Sequence, residues 1–447
     1  MNWMNLLSTK RLGRPRQVGD EAPPPRTEFT RDYDRIIFSS AFRRLQDKTQ
    51  VFPLAKSDYV RTRLTHSLEV ASVGRSLGML AAEVIHRKDA SLVALVVPQD
   101  VGTILATACL MHDIGNPPFG HAGESAIQEW FETARALGDD GMCEAERQDL
   151  LKFEGNAQGF RTLCTLQNQP QRGGLQLTSA ILGTFTKYPR ASHVDPTQST
   201  GISGKKFGFM QSEAALFQEL ADELGLVRKA GEALAWHRHP LAFLVEAADD
   251  ICYHVMDVED GFKAGAISYD ELEALHRPWL TPERLERGHQ VADPQRRAEY
   301  FRAVTVDQMV HEAIAVFEIS YDGLMSGTFD EELAARIPRS TEFAAFKTMA
   351  KSNVYRSRPV VEIEACGFEV IAGLLTAFVD AIEVKARNRP LGRARSRTLL
   401  NLLPGGAAAI DGLPPYERLI VATDFVSGMT DSYAVDLYQR IRGISLP

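Results

Sequence analysis

The chain has little that would hold it together in an oxidising compartment or anchor it in a bilayer. Its five cysteines (Cys109, Cys143, Cys164, Cys252 and Cys366) are odd in number, scattered and never in a CxxC pair. That argues against a disulfide framework or a thiolate zinc site, and most read as small core residues. No stretch without charge, Ser91–Pro98 and Val370–Val379 among them, is long enough to span a bilayer. The N-terminal MNWMNLLSTKRLGRPR has no apolar segment followed by a small-residue cleavage site, so no secretory signal is expected. The expected setting is cytoplasmic, with no membrane partner. Positive charge is also in short supply: 50 Lys and Arg against 58 Asp and Glu leave a net charge of −8. That disfavours general affinity for nucleic acid or anionic lipid. Alternating strand patterns are scarce, apart from a short hairpin expected around Phe207–Met210.

What is present is helical periodicity. At 447 residues, 44% hydrophobic and 24% charged, the composition is that of a globular protein of one large or two ordinary domains. Leu64–Val84 places Leu68, Ala71, Leu77, Leu80 and Ala81 near one face, and Val101–His112 is a compact apolar helix. Leu241–Asp260 and Phe368–Val384 continue the pattern, so the fold class expected is all-α. Arg135–Asp149, Arg190–Lys206 and Pro390–Ala409 read as loops. A division into a catalytic helical core over residues 30–270 and a C-terminal helical region over 271–447 is expected. Basic residues cluster locally, with six in Lys385–Arg397 and smaller groups at Arg35–Arg44 and Arg61–Arg63. An acidic protein with such patches suits a small polyanionic ligand better than a long duplex.

The segment LMHDIGNPPFGHAGE (Leu110–Glu124) carries the most chemistry. It begins at the end of an apolar helix, and Gly115, Pro117, Pro118 and Gly120 then force an irregular turn. His112 and Asp113 just before that turn can converge on one point. Imidazole nitrogen with carboxylate oxygen suits a divalent ion such as Mn, Mg or another first-row transition metal. His66 lies at the start of an amphipathic helix, flanked by Arg61 and Arg63. In FLVEAADDICYHVMD an Asp-Asp pair interrupts an apolar run, where ionised carboxylates are costly unless paired or metal-bound. Asp249, Tyr253 and Asp257 share one helix face, whereas Asp250 points about 100° away. Asp249 is therefore the chosen ligand and Asp250 the fallback; a buried ion pair, for instance with Arg63, is the alternative. His121 and Glu124 are three apart at the start of the next helix and can touch, which fixes the imidazole tautomer and raises its basicity.

The order His66, His112–Asp113, Asp249 resembles the HD-domain phosphohydrolases. The segments FRRLQDKTQVF (Phe42–Phe52), YVRTRLTHSLEV, HDIGNPPFGHAGE, FEGNAQGFR (Phe153–Arg161), TKYPR, KKFGF and EAADDICYHVMD resemble more narrowly the dGTPase / dNTP triphosphohydrolase branch. VYRSRPVVEIEACG (Val354–Gly367) is more weakly similar. The resemblance implies an HD-domain helical bundle with an additional C-terminal helical region, and a divalent metal held by His66, His112, Asp113 and Asp249. It implies hydrolysis at the α-phosphorus of a dNTP to nucleoside and tripolyphosphate. His121, Glu124 and Asp113 would be catalytic, with Asp113 taking a proton from the attacking water. Arg63, Lys187, Lys205 and Lys206 would hold phosphates, and Gln50 and Asp257 the 3′-hydroxyl. Tyr253, flat beneath the ribose, would exclude a 2′-hydroxyl. Val51, Asn156, Tyr188 and Glu364 would border the nucleotide. Homo-oligomerisation is implied, an activating dNTP fits the same pattern, and the basic run offers a place for single-stranded DNA. Two alternatives stay open: another HD-type nucleotide hydrolysis, and a catalytically silent nucleotide- or single-strand-sensing regulator.

Overall fold

The computed structural model describes residues 1–14, 26–50, 61–134, 141–168, 171–194, 201–231, 234–389 and 392–444. Among them the chain is all-α: twenty α-helices joined by short 3-10 and π-helical turns, with β-pairing limited to isolated bridges. The hairpin expected at Phe207–Met210 does not form. Phe209 enters one hydrophobic core while Phe207 and Met210 enter another, so the segment threads between two cores and has no solvent face. Backbone bonds tie it at both ends, Gly208 N donating to Arg190 O at 3.0 Å and Glu213 N donating to Met210 O at 3.0 Å.

Two antiparallel helices frame the centre. Helix α1, Arg63–Lys88, starts in a capping box in which Thr62 and Thr65 side chains satisfy each other's backbone N–H groups. Helix α2, Pro98–Met111, opens on a proline whose missing N–H costs nothing in a first turn. A Cβ on Gly78 would meet the carbonyl of Val101 and the Cα of Gly102, and one on Gly74 the sulfur of Cys109. Only glycine permits this approach, and the antiparallel register sets the first turn of α1 beside the last turn of α2. His66 and His112 sit at those two ends.

Helix α3, Gly120–Thr133, follows the irregular turn, and α4, Gly155–Arg161, packs under it. Helix α5, Ala242–Lys263, runs through the first core beside α1, with Ala247, Ala248, Ile251, Cys252 and Val255 all buried. The second core joins α3 to α6 (Arg358–Ala386), α7 (Pro415–Ser427) and α8 (Asp431–Arg442). Residues Val360–Ala386 are long and apolar enough by length and composition to cross a membrane. Val370, Ile371, Leu374, Phe378 and Ile382, however, are buried against α3 and its neighbours. Burying each such side chain contributes about 1.5–3 kcal/mol, which accounts for the apolarity of the helix.

Two expected loops contain helices. The helix Glu144–Leu151 begins inside Arg135–Asp149 and runs past its end, started by the Glu146 carboxylate accepting from Cys143 N at 2.8 Å. Arg393–Leu400 is helical within Pro390–Ala409, because Leu399 and Leu400 enter the second core. Neither anchor belongs to a run of apolar periodicity, so local pattern gave no sign of them.

Candidate metal centre and nucleotide pocket

Four side chains from three elements converge where α1, α2 and α5 meet. His66 Nε2 stands 3.2 Å and His112 Nε2 3.3 Å from the same oxygen, Asp249 Oδ1. Asp113 Oδ1 is 3.5 Å from His112 Nε2. His66, His112 and Asp113 each bring one ligand atom within 4.8 Å of the others. Ligands bound about 2.1 Å from one ion stand roughly 3.0–3.5 Å apart, so the spacing fits a shared cation. His112 Nδ1–H donates to Cys109 O at 2.6 Å, which turns Nε2, the atom a metal-bound imidazole would offer, toward the carboxylate oxygens. Burial lowers the pKa of His112, but Asp113 and Asp249 outweigh it and raise it, so the site favours a cation at Nε2, whether a proton or a metal ion.

The carboxylates are held ionised by cations from elsewhere in the chain. Burial alone would raise the pKa of Asp113, but Arg63, with Nη1 2.8 Å from Oδ2, and the two histidines outweigh it and hold it well below the usual range. Asn116 Nδ2 also donates to its Oδ1. Asp249 is likewise held low against burial by Lys187, whose Nζ donates to Oδ2 at 2.6 Å. Arg63 is thus the partner of Asp113, and the counter-charge of Asp249 is Lys187. Asp250 faces away. Burial together with Glu246 and Asp249 pushes its pKa well above the carboxylate range.

The turn after Asp113 delivers a second group. The His121 side chain is 80% exposed, with Nδ1 2.9 Å from Oε2 of Glu124. Nε2 is therefore left accessible. Glu124 is buried, and its Oε1 accepts from Gly155 N at 2.8 Å. Burial opposes ionisation, but His121 and Lys206 lower its pKa. Lys206 Nζ donates to Glu154 Oε1 at 2.9 Å and lies 3.8 Å from Glu124. Asn156 Nδ2 donates to the same Glu154 oxygen at 2.7 Å. Glu154 was missed in the sequence, although it stands in the FEGNAQ motif; a glutamate before a helix reads as an ordinary cap.

On the α5 face, the Tyr253 ring stands edge-on to His66 with centroids 6.4 Å apart. Asp257, one turn further, is buried and accepts a hydrogen bond from Tyr355 OH. Tyr355 was also missed, since nothing local marks it. Gln50 Oε1 is buried with no protein partner among the described residues. Tyr188 is buried beneath the Arg238 guanidinium, 5.3 Å from its ring centroid. Lys205 is exposed beside Lys206. Glu364 is exposed on α6, a turn from Gly367, which packs against Phe119. Val51 lies outside the described residues.

A His-Asp pair, a second histidine and a distant aspartate, brought together by helices, define an HD-type hydrolase, and HD domains bind divalent metals. The HD domain model matches residues 63–163, and a model described as phosphohydrolase-associated domain matches 337–440. Over the full length of both chains the protein is 41% identical to a deoxyguanosinetriphosphate triphosphohydrolase-like protein of Synechocystis sp. and 39% identical to one of Pseudomonas aeruginosa. It is 32% identical to the deoxyguanosinetriphosphate triphosphohydrolase of Klebsiella pneumoniae, over 94% of this chain and 96% of that one. The chain belongs to the deoxyguanosinetriphosphate triphosphohydrolase-like family of HD-domain hydrolases.

Proposed function

We propose that the protein is a metal-dependent triphosphohydrolase that converts dNTPs to deoxynucleoside and tripolyphosphate. The observation that carries this reading is the ring of cations Arg63, Lys187 and Lys206 around the His–Asp cluster and the His121–Glu124 pair. One divalent ion cannot neutralise a triphosphate, and this many buried or half-buried cations exceed what a phosphomonoester would need. Each lysine has N–H groups to spare beyond its carboxylate partner.

His66, His112, Asp113 and Asp249 would hold a divalent ion (Mn, Mg or another first-row metal), which would supply Lewis acidity to the phosphate and to the attacking water. Asp113, kept ionised by Arg63, accepts a proton from the attacking water. The water oxygen bonds to the α-phosphorus as its bond to the sugar 5′ oxygen breaks. His121, oriented by Glu124, gives a proton to that departing oxygen. Arg63, Lys187, Lys205 and Lys206 hold the phosphates. Tyr253 excludes a 2′-hydroxyl, Gln50 and Asp257 take the 3′-hydroxyl, and Val51, Asn156, Tyr188 and Glu364 border the nucleotide.

In this reading residues 30–270 form the catalytic core, and 271–447 complete the pocket, as Tyr355 on Asp257 suggests, and make homo-oligomer contacts. The setting is cytoplasmic; an activating dNTP and single-stranded DNA are candidate effectors. The test is a panel of four dNTPs with Mn or Mg, with and without a second dNTP. Tripolyphosphate is the expected product; orthophosphate or pyrophosphate alone from every dNTP overturns the reading.

A further inference from the structure

Asp431 opens α8 in the second core and is 1% exposed. Its carboxylate takes three hydrogen bonds from two distant places. Oδ1 accepts from Phe119 N at 3.0 Å, and Oδ2 accepts from Thr49 N at 2.9 Å and Thr49 Oγ1 at 2.5 Å. Thr49 precedes Gln50, and Phe119 stands two residues before His121. Neither donor is a metal ligand.

Phe119 needs holding. Its φ of 63° is left-handed, a conformation that is a genuine outlier for a bulky residue and persists only where surroundings enforce it. Its ring is pressed against α6, where a Cβ on Gly367 would meet it, and its N–H is spent on Asp431. The residue next to Thr49 strengthens the same junction: Lys48 donates to the carbonyls of Asn116 and of Ser427, the latter at 3.1 Å. The turn that carries the chain from Asp113 to His121 is therefore closed from the C-terminal region.

We propose that Asp431 is a positioning residue for the hydrolysis: one carboxylate holds the left-handed Phe119 turn and the Thr49–Gln50 segment together, so that His121 and Gln50 address the same nucleotide. This rests on the function proposed above, and it gives the phosphohydrolase-associated region a part in the active-site geometry.

The test compares D431N with D436N, an exposed change on the same helix. Asparagine keeps one acceptor oxygen but cannot serve both donors. D431N is expected to lower kcat about tenfold or more while D436N leaves it unchanged; in an H121A background D431N should cost less than about threefold, because residues acting through one group are not additive. Amide exchange of the peptide spanning Phe119 should accelerate in D431N and not in D436N. Should D431N fail to fold, T49V, which removes one donor and keeps Asp431, is expected to give a smaller loss with the same dependence on His121. Wild-type kcat with unchanged exchange, or an equal fold-loss with and without His121, overturns the proposal. If the wild-type protein releases no tripolyphosphate, the function is wrong, while the exchange measurement still decides whether Asp431 holds the turn.

Discussion

The hydroxyl of Tyr355 donates to the carboxylate of Asp257, 98 residues earlier in the chain. A π-helical turn over Ala350–Val354, in which Tyr355 N donates to Ala350 O at 3.1 Å, brings the ring there. Such insertions frequently mark functional positions. The ring also leans on Tyr253, with centroids 5.9 Å apart.

Removing that hydroxyl leaves a buried carboxyl short of its donor, a cost of about 1–3 kcal/mol. Tyr355→Phe should therefore raise the KM for dNTP about tenfold and change kcat less. Steady-state kinetics checks this, and an unchanged KM would count against a sugar-binding role for Asp257.

Metal removal should lower stability. An ion at 100 times its Kd adds about 2.7 kcal/mol, so Mn added to chelator-stripped protein should raise the melting temperature. Asp249→Asn should abolish that rise, and Asp250→Asn should leave it. The reverse pattern, with Asp250→Asn abolishing the rise and Asp249→Asn leaving it, would exchange the two assignments.

His121→Ala and Glu124→Gln should each lower kcat, by about 10²- to 10⁴-fold for the histidine if it transfers a proton in the transition state. Neither side chain belongs to the His66–His112–Asp113 cluster, so the metal-dependent rise in melting temperature should survive. Loss of both together would mean that the loop, and not the proton, had been disturbed.

Acid should destabilise the fold through buried histidines. Burial pushes His239 down to about 4, against a weaker opposing effect from its bond to Leu6 O. Burial likewise pushes His276 down to about 3, with Glu259 opposing. The folded protein thus resists protons that the unfolded chain takes up near pH 6.5. Their contribution is complete above that pH and is lost as pH falls through 6.5 toward 4 and then 3. For His239 alone the loss is on the order of 3 kcal/mol. Urea midpoints measured from pH 7.5 to 4 should fall, and a flat profile would contradict the burial of neutral imidazoles.

Gly115→Ala should be strongly destabilising. A Cβ there would strike Gly155 O and Gly159 N in α4, backbone atoms that cannot move aside. Overpacking of this kind costs about 1–3 kcal/mol or more, which thermal melting of the purified variant would register.

Much of the candidate site was legible in order of residues. An apolar helix ending in His112–Asp113, with glycines and prolines after it, specifies its own turn. The spacing Asp249, Tyr253, Asp257 places three side chains on one face because a helix repeats every 3.6 residues, and that phase separates Asp249 from Asp250. His121 and Glu124 are near enough in the chain for local geometry to join them. These are short-range relations, and so they survive translation into a linear pattern.

What the tertiary structure alone decided is which charge answers which. Sequence offered Arg63 as a partner for Asp249; packing gave it Asp113 and supplied Lys187 instead. Glu154 against Lys206, Tyr355 under Asp257 and Asp431 behind Phe119 join residues 52, 98 and 312 positions apart. The helix at Arg393–Leu400 and the irregular Phe207–Met210 segment were set the same way, by cores that local periodicity does not describe. A buried ion must find its counter-charge wherever the fold provides one. A pattern with a period of a few residues holds no information about a neighbour hundreds of positions away.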